Sequence, residues 1–316
     1  MSKHGSLVFQ VKSTLAKMEA YGQSKHADKI SGRGHGDRIY SHSTMRNYLR
    51  ESLKFVNFVR EHYPETRTLE QARSHVDDYL THIIDNEWKP ASIALAAASL
   101  GKVYREPVTN FRDRPAVTRA SITRSRGLDN TAGRINREVR EKLEAVTRTF
   151  ILRRCDLRNL RPEWMHQDSN GTYFLEIPAG ISKGGRPRSI VAYAPNTAEG
   201  RERLERAVKI IENTLPGNKV FPHIHSHYYP HSDRAAGCRE RYEAYVREVL
   251  AQNNGEIPRF DRYTMRNSYD ADGESDGLGG TVLSRSALKR CGAELGHGEN
   301  RESLVAGHYL YNRGGK

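Results

Sequence analysis

The sequence predicts a mainly α-helical protein with a small β-hairpin sheet, an α+β chain in two parts. Three observations carry this expectation. Apolar residues recur at spacings of three and four through most patterned segments, the period of a helix with one buried face. Only two short runs read as strands, and they flank a single glycine turn. The chain has 316 residues, more than one compact domain usually holds, and a patternless arginine-rich stretch lies between two patterned regions.

Taken in order, residues 1–40 are polar and rich in Lys, His, Gly and Ser, with Ser31-Gly32-Arg33-Gly34-His35-Gly36 at their centre. They read as a basic flexible N-terminal arm, able to follow a phosphate backbone or simply to be solvated. Tyr48, Leu49, Ser52, Val56, Val59 and Tyr63 then form one helix face, which Pro64 ends. A second helix starts at Thr68, whose hydroxyl caps while Gln71 reaches back; its stripe is Ala72, Val76, Tyr79, Leu80 and Ile83. A third runs from about Ala91 to Tyr104, with Ala94, Ala97 and Ala98 small enough to admit a neighbouring helix. Residues 41–106 are therefore expected to form a small helical domain.

Residues 107–135 lose the pattern and accumulate Arg112, Arg114, Arg119, Arg124 and Arg126, which suits a linker strapped across phosphates or a merely solubilising one. A third region, 136–316, begins with a helix marked by Val139, Leu143 and Val146. Tyr173-Phe174-Leu175-Glu176-Ile177 and Ser189-Ile190-Val191-Ala192-Tyr193 are the strands, joined through Lys183-Gly184-Gly185-Arg186. Helices follow near 197–213, 234–252 and 281–294, with an acidic glycine-rich insertion at 270–280 expected to be a loop.

Composition narrows the partners. Lys and Arg number 51 against 38 Asp and Glu, a formal charge of +13, so a polyanion is the expected partner and nucleic acid outranks a membrane. The longest weakly apolar run, Ala91 to Leu100, is half a bilayer span, and the N-terminus lacks the apolar core of a signal peptide. Cys155, Cys238 and Cys291 are widely spaced and fit a reducing compartment. A soluble, cytoplasmic, nucleoid-associated protein is expected.

Residues 149–164, Thr-Phe-Ile-Leu-Arg-Arg-Cys-Asp-Leu-Arg-Asn-Leu-Arg-Pro-Glu-Trp, place Arg153 after a hydrophobic pair, Asp156 three later, and Leu160-Arg161 at the close. Downstream come Lys183 in the glycine turn, Tyr263-Thr264-Met265-Arg266, Leu295-Gly296-His297 and Val305-Ala306-Gly307-His308-Tyr309-Leu310-Tyr311. This series resembles, in order, the motifs of the tyrosine recombinases, the phage-integrase family. The resemblance covers about residues 136–311 at motif level, and more weakly extends to the helical domain as that family's core-binding, SAM-like domain.

The resemblance implies a tyrosine-recombinase catalytic domain at 136–316 and site-specific DNA recombination, integration or excision, through a 3′-phosphotyrosine. It implies no metal, no ATP and no other cofactor. Tyr309 is then the nucleophile, with Tyr311 the rival; Arg153 and Arg266 hold the phosphate, His297 donates a third bond, and Lys183 protonates the leaving oxygen. Tyr263 stands where the family usually has a histidine, three residues before the second arginine. Arg186 and Arg188 are expected to grip the DNA backbone.

The chemistry is sound for these residue types. Attack on a phosphodiester builds charge on two non-bridging oxygens, which planar guanidinium groups hold through paired bonds. Each such donor is worth roughly 100- to 1000-fold in rate. A tyrosine with an ordinary pKa near 10 needs nearby cations to stabilise its phenolate.

His223, His225, His227 and His231 alternate, but Pro222 and Pro230 make the segment a loop without a matching Cys or carboxylate set, so a DNA-facing or polar loop is favoured over a metal site. The expected partner is a specific double-stranded DNA site bound by a homo-oligomer, a tetramer in the synaptic complex. With about six phosphate contacts, log K should fall with log salt at a slope of roughly −5. Two other functions share the fold: a type IB topoisomerase-like relaxer, and a non-catalytic DNA-binding protein.

Overall fold

Leu7, Val11 and Leu15 lie four residues apart, and in the computed structural model of the protein this spacing builds helix α1 (Leu7–Ala16) with all three side chains buried. The structure describes residues 5–32, 35–118, 121, 134–181, 187–265, 279–297 and 300–310. It divides into two units, Met1–Ile122 and Thr123–Lys316.

In the first unit, the Ser6 hydroxyl accepts the Phe9 N–H at 3.3 Å to cap α1. Met18 and Ile39 join α1 in the core, and α2 (Lys25–Ile30) follows, with Asp28 paired to Arg38 at 3.0 Å and bonded by the Tyr40 hydroxyl at 2.8 Å. The expectation of an arm over 1–40 is therefore corrected. Its polar composition conceals a four-residue apolar repeat that a bundle can bury.

α3 (His42–His62) buries Ser52, Phe55, Val56 and Val59. Thr68 and Gln71 form the reciprocal cap on α4 (Leu69–Ala72), and a tight turn at Arg73–His75 leads into α5 (Val76–Asp85). Ala72, Val76, Tyr79, Leu80 and Ile83 are all buried, as the periodicity requires. α6 (Pro90–Tyr104) starts on a proline, which suits the first helical position, and packs chiefly on α3.

The chain stays on this unit beyond 107. Phe111 is buried, the Arg112 N–H donates to Asp77 Oδ1 at 2.9 Å, and its guanidinium donates to the Thr81 hydroxyl. The Arg114 guanidinium donates to the Val108 and Arg112 carbonyls, each at 3.0 Å. The linker thus begins later than residue 107, because these arginines and Phe111 are fastened to the bundle; Arg119, Arg124 and Arg126 lie outside the described residues.

In the second unit, Asn136 caps α7 (Arg137–Phe150), and α8 (Arg154–Asn159) follows after three residues. β1 (Met165–Gln167), β2 (Tyr173–Ile177) and β3 (Arg188–Val191) form an antiparallel sheet in that order, with Leu175 opposite Ile190. The expected two-stranded hairpin gains β1, which is too short and polar to announce itself. α9 (Ala198–Glu212) and the long α10 (His231–Gln252) come next. β4 (Arg262–Thr264) pairs with β5 (Val282–Ser284), so α11 (Arg285–Glu294) begins after a strand rather than at 281; α12 (Glu302–Tyr309) completes the unit.

Phe150, Leu157, Leu175, Ile190, Ile211, Cys238, Leu288 and Val305 share one core. Gly237 lets α10 close on the end of α7: a Cβ there would lie 2.2 Å from the Arg148 carbonyl oxygen. Fully buried Arg241 donates to the Thr149 and Val191 carbonyls at 2.6 Å each and pairs with Glu294 at 2.8 Å, joining α7, β3, α10 and α11. No helix among the described residues is long and apolar enough to cross a membrane.

Candidate active site

The site begins where α7 ends. Ile151 caps α7 in the left-handed conformation, φ 42° and ψ 47°, costly for a β-branched residue by roughly 1–2 kcal/mol. The turn it makes sets Arg153 as the extended N-cap of α8. Fully buried Asp156 reaches back to accept the Arg153 N–H at 2.8 Å, and also pairs with Arg188 at the start of β3.

The Arg153 guanidinium donates to the Gly296 carbonyl at 3.1 Å. Gly296 has φ +65°, and a Cβ there would lie 3.0 Å from Arg188 Cδ and Nη1 and 3.1 Å from Arg153 Nη1. Only glycine suits both the conformation and the crowding.

Arg234 enters from the first turn of α10 and is 1% exposed. Its guanidinium donates to the Ile151 carbonyl, to the Leu295 carbonyl at 2.6 Å, and through Nε to the Tyr309 hydroxyl at 3.3 Å. The Tyr309 hydroxyl also lies 3.2 Å from His297 Nε2, and the two rings meet edge to face at 5.7 Å. Tyr309 is the last residue of α12, half-buried against the core.

Burial, and then the charges of Arg234, Arg153 and Arg188, push His297 down to about 3, so its imidazole is neutral near pH 7. Burial followed by Arg234 and Arg188 pushes Arg153 down to about 10, still protonated. Among the described residues, the guanidinium groups of Arg153, Arg188 and Arg234 meet the carboxylate of Asp156, and the excess positive charge invites an anion.

Arg153, His297 and Tyr309 are thus brought together. Lys183, Arg186, Arg266 and Tyr311 lie outside the described residues. Tyr263 sits in β4 opposite Leu283 and packs on the core; none of the hydrogen bonds described for Tyr309 comes from it. Arg188, expected to grip the DNA backbone, is instead 8% exposed and held by Asp156, facing Gly296 beside Arg153.

Sequence reasoning missed Arg234. The signal was there in His231-Ser232-Asp233-Arg234, which has the histidine-to-arginine spacing sought at Tyr263 and Arg266. His231 stands apart from His223, His225 and His227, because it opens α10. The preceding loop is tied down instead by Arg154, which donates to the carbonyls of Tyr228, Ile224 at 3.2 Å and His225 at 2.8 Å. Beside Arg234, buried Asp233 lies 2.9 Å from the Tyr228 hydroxyl, and burial and then Glu144 push it up to about 6.

Cations around a tyrosine oxygen, with a neutral imidazole against it, equip a centre for phosphoryl transfer to that oxygen. Residues 35–108 match the phage integrase N-terminal SAM-like domain, which supports assignment to the phage-integrase, or tyrosine recombinase, family. Comparison with curated proteins finds no match. At a general level this domain supports site-specific DNA recombination and DNA binding.

Proposed function

We propose that this protein is a tyrosine-type site-specific recombinase, an integrase of a mobile element catalysing integration or excision, that cuts and rejoins DNA through Tyr309. The observation that carries the reading is the Tyr309 hydroxyl held within 3.3 Å of Arg234 Nε and 3.2 Å of His297 Nε2, beside Arg153 and Arg188. The scissile phosphodiester occupies the excess positive charge of this pocket.

Tyr309 Oη forms a bond to phosphorus while the bond from phosphorus to the 5′-oxygen breaks, leaving a 3′-phosphotyrosine and a free 5′-hydroxyl. The diester carries one negative charge and the transition state approaches two, so Arg153 and Arg234 bind the transition state more strongly than the ground state. Arg234 takes the role first assigned to Arg266, and His231 supplies the histidine three residues before it.

With its proton on Nδ1, His297 accepts the Tyr309 proton at Nε2. In the free protein burial, and then its neighbouring cations, make it a weak base; a bound phosphate offsets the cations, which couples proton transfer to DNA binding. Lys183 donates the proton to the leaving 5′-oxygen. A 5′-hydroxyl from a second duplex reverses the step, so neither metal nor ATP is consumed, and four copies assemble on two duplexes. Arg119, Arg124, Arg126 and Arg186 contact the backbone.

The test is strand exchange between duplexes carrying the flanks of the encoding element, in chelator and without nucleotide. Joined recombinant duplexes support the reading. Relaxation of arbitrary supercoiled plasmid without exchange points to the topoisomerase-like alternative, and DNA binding without any covalent intermediate points to a non-catalytic protein.

A further inference from the structure

We infer that Arg239 is a positioning residue that locks the nucleophile's main chain, so that Tyr309 is presented to the phosphate pocket of its own chain. The inference rests on the reading of Tyr309 as nucleophile.

α12 is short, eight residues from Glu302 to Tyr309, and only Val305, Ala306 and Gly307 are buried. So small an anchor leaves the helix dependent on its ends. At the first end, Glu302 lies 3.9 Å from Lys289 of α11. At the last, the final carbonyls have no partner within the helix and carry the negative end of its dipole.

Arg239 Nη1 donates to the Tyr309 carbonyl at 3.1 Å, which satisfies one of those carbonyls at the residue whose side chain is to react. Arg239 and Arg234 both belong to α10. One helix therefore grips both ends of one tyrosine: Arg234 bonds the hydroxyl at 3.3 Å, and Arg239 bonds the carbonyl.

The two bonds have different consequences. Arg234 touches the reacting oxygen and stabilises charge there. Arg239 bonds the Tyr309 main chain, not the reacting oxygen, and so acts on the reaction through where it holds Tyr309. Without it the end of α12 swings on its small buried patch, and the hydroxyl leaves the 3.2 Å contact with His297. A misplacement of about 1 Å costs on the order of 100-fold in a reaction that depends on alignment. DNA affinity, set by other cations, stays.

The experiment measures single-turnover formation of the covalent complex on nicked duplex at saturating DNA, together with DNA affinity and thermal midpoint. It compares wild type, Tyr309→Phe, Arg239→Ala and Arg239→Lys. Arg239→Ala should cleave about 10- to 100-fold more slowly with affinity unchanged, and Arg239→Lys, which keeps a charged donor for the carbonyl, should recover most of the rate. A second arm mixes a Tyr309→Phe chain, whose pocket is intact, with an Arg153→Ala chain, whose tyrosine is intact; attack within one chain leaves the mixture inactive.

Arg239→Ala cleaving at the wild-type rate, Arg239→Lys failing to recover a folded protein's rate, or the mixture regaining activity each overturns the inference. If wild type forms no adduct, or Tyr309→Phe still does, the reading of Tyr309 fails and the inference falls with it.

Discussion

Replacing Arg234 with alanine separates the proposed assignment of the second arginine from Arg266, the one the sequence suggested. The change removes the donors of two buried carbonyls, Ile151 and Leu295, and the Nε that bonds Tyr309. Each orphaned carbonyl costs about 1–3 kcal/mol, and the end of repulsion with Arg153 returns part of it. A net loss of about 2–4 kcal/mol lowers the thermal midpoint by roughly 5–10 °C for a unit of this size. Below that midpoint, losing one preorganised donor to the transition state should slow covalent-complex formation by roughly 100- to 1000-fold.

Arg234→Lys keeps the charge, but one ammonium cannot reproduce the fork to both carbonyls and the hydroxyl, so it should remain severely slowed. The assay is single-turnover adduct formation on nicked duplex, with thermal unfolding in parallel and Arg266→Ala beside it. An Arg234→Ala protein cleaving within about threefold of wild type while Arg266→Ala is dead would refute the reasoning.

Three further outcomes follow from the pocket and the residues beside it. Gly296→Ala introduces a Cβ about 3.0 Å from Arg188 at a φ of +65°, so it should cost roughly 1–2 kcal/mol in urea unfolding and slow cleavage through the displaced arginines; unchanged cleavage would show the crowding to be unimportant. The buried titratable groups bend stability with pH in opposite senses. His297 binds its proton at about 3 when folded and 6.5 when unfolded, so the folded state loses stability as pH falls from 6.5 towards 3, and His297→Gln should lose less than wild type over that window. Asp233 binds its proton at about 6 folded and 3.8 unfolded, so its contribution is present below 3.8 and lost as pH rises through 6; Asp233→Asn should gain on wild type between about pH 4 and about pH 7. Denaturant titrations of both variants at those two values check the signs.

Much of the scaffold was legible because it is encoded locally. The cap from Thr68 and Gln71 depends on residues three apart, and the stripe from Ala72 to Ile83 follows one helical period. Tyr173–Ile177 was read to the residue, since Leu175 and Ile177 alternate with a polar neighbour. α1 was hidden because Leu7, Val11 and Leu15 sit among lysines and serines, whose polar composition masks the four-residue spacing.

The site divided along the same line. Arg153, His297 and Tyr309 carry recognisable neighbours in sequence. Arg234 is defined by contacts to Ile151, Leu295 and Tyr309, which lie 83, 61 and 75 residues away, and these arise only when α10 closes on α7 at Gly237. The long stretch from α10 to α11, with its β4 and β5 strands, moved the expected arginine towards Arg266. Arg188 was misjudged because a basic turn reads as exposed, while its partner Asp156 comes from another element.

The most direct measurement is the identity of the tyrosine joined to DNA. The protein is incubated with a nicked duplex of its recombination site, the covalent complex is digested, and the nucleotide-bearing peptide is sequenced by mass spectrometry. The account predicts a 3′-phosphate on Tyr309, absent in Tyr309→Phe and unchanged in Tyr311→Phe. A phosphate on Tyr311, or an adduct that persists in Tyr309→Phe, would contradict it.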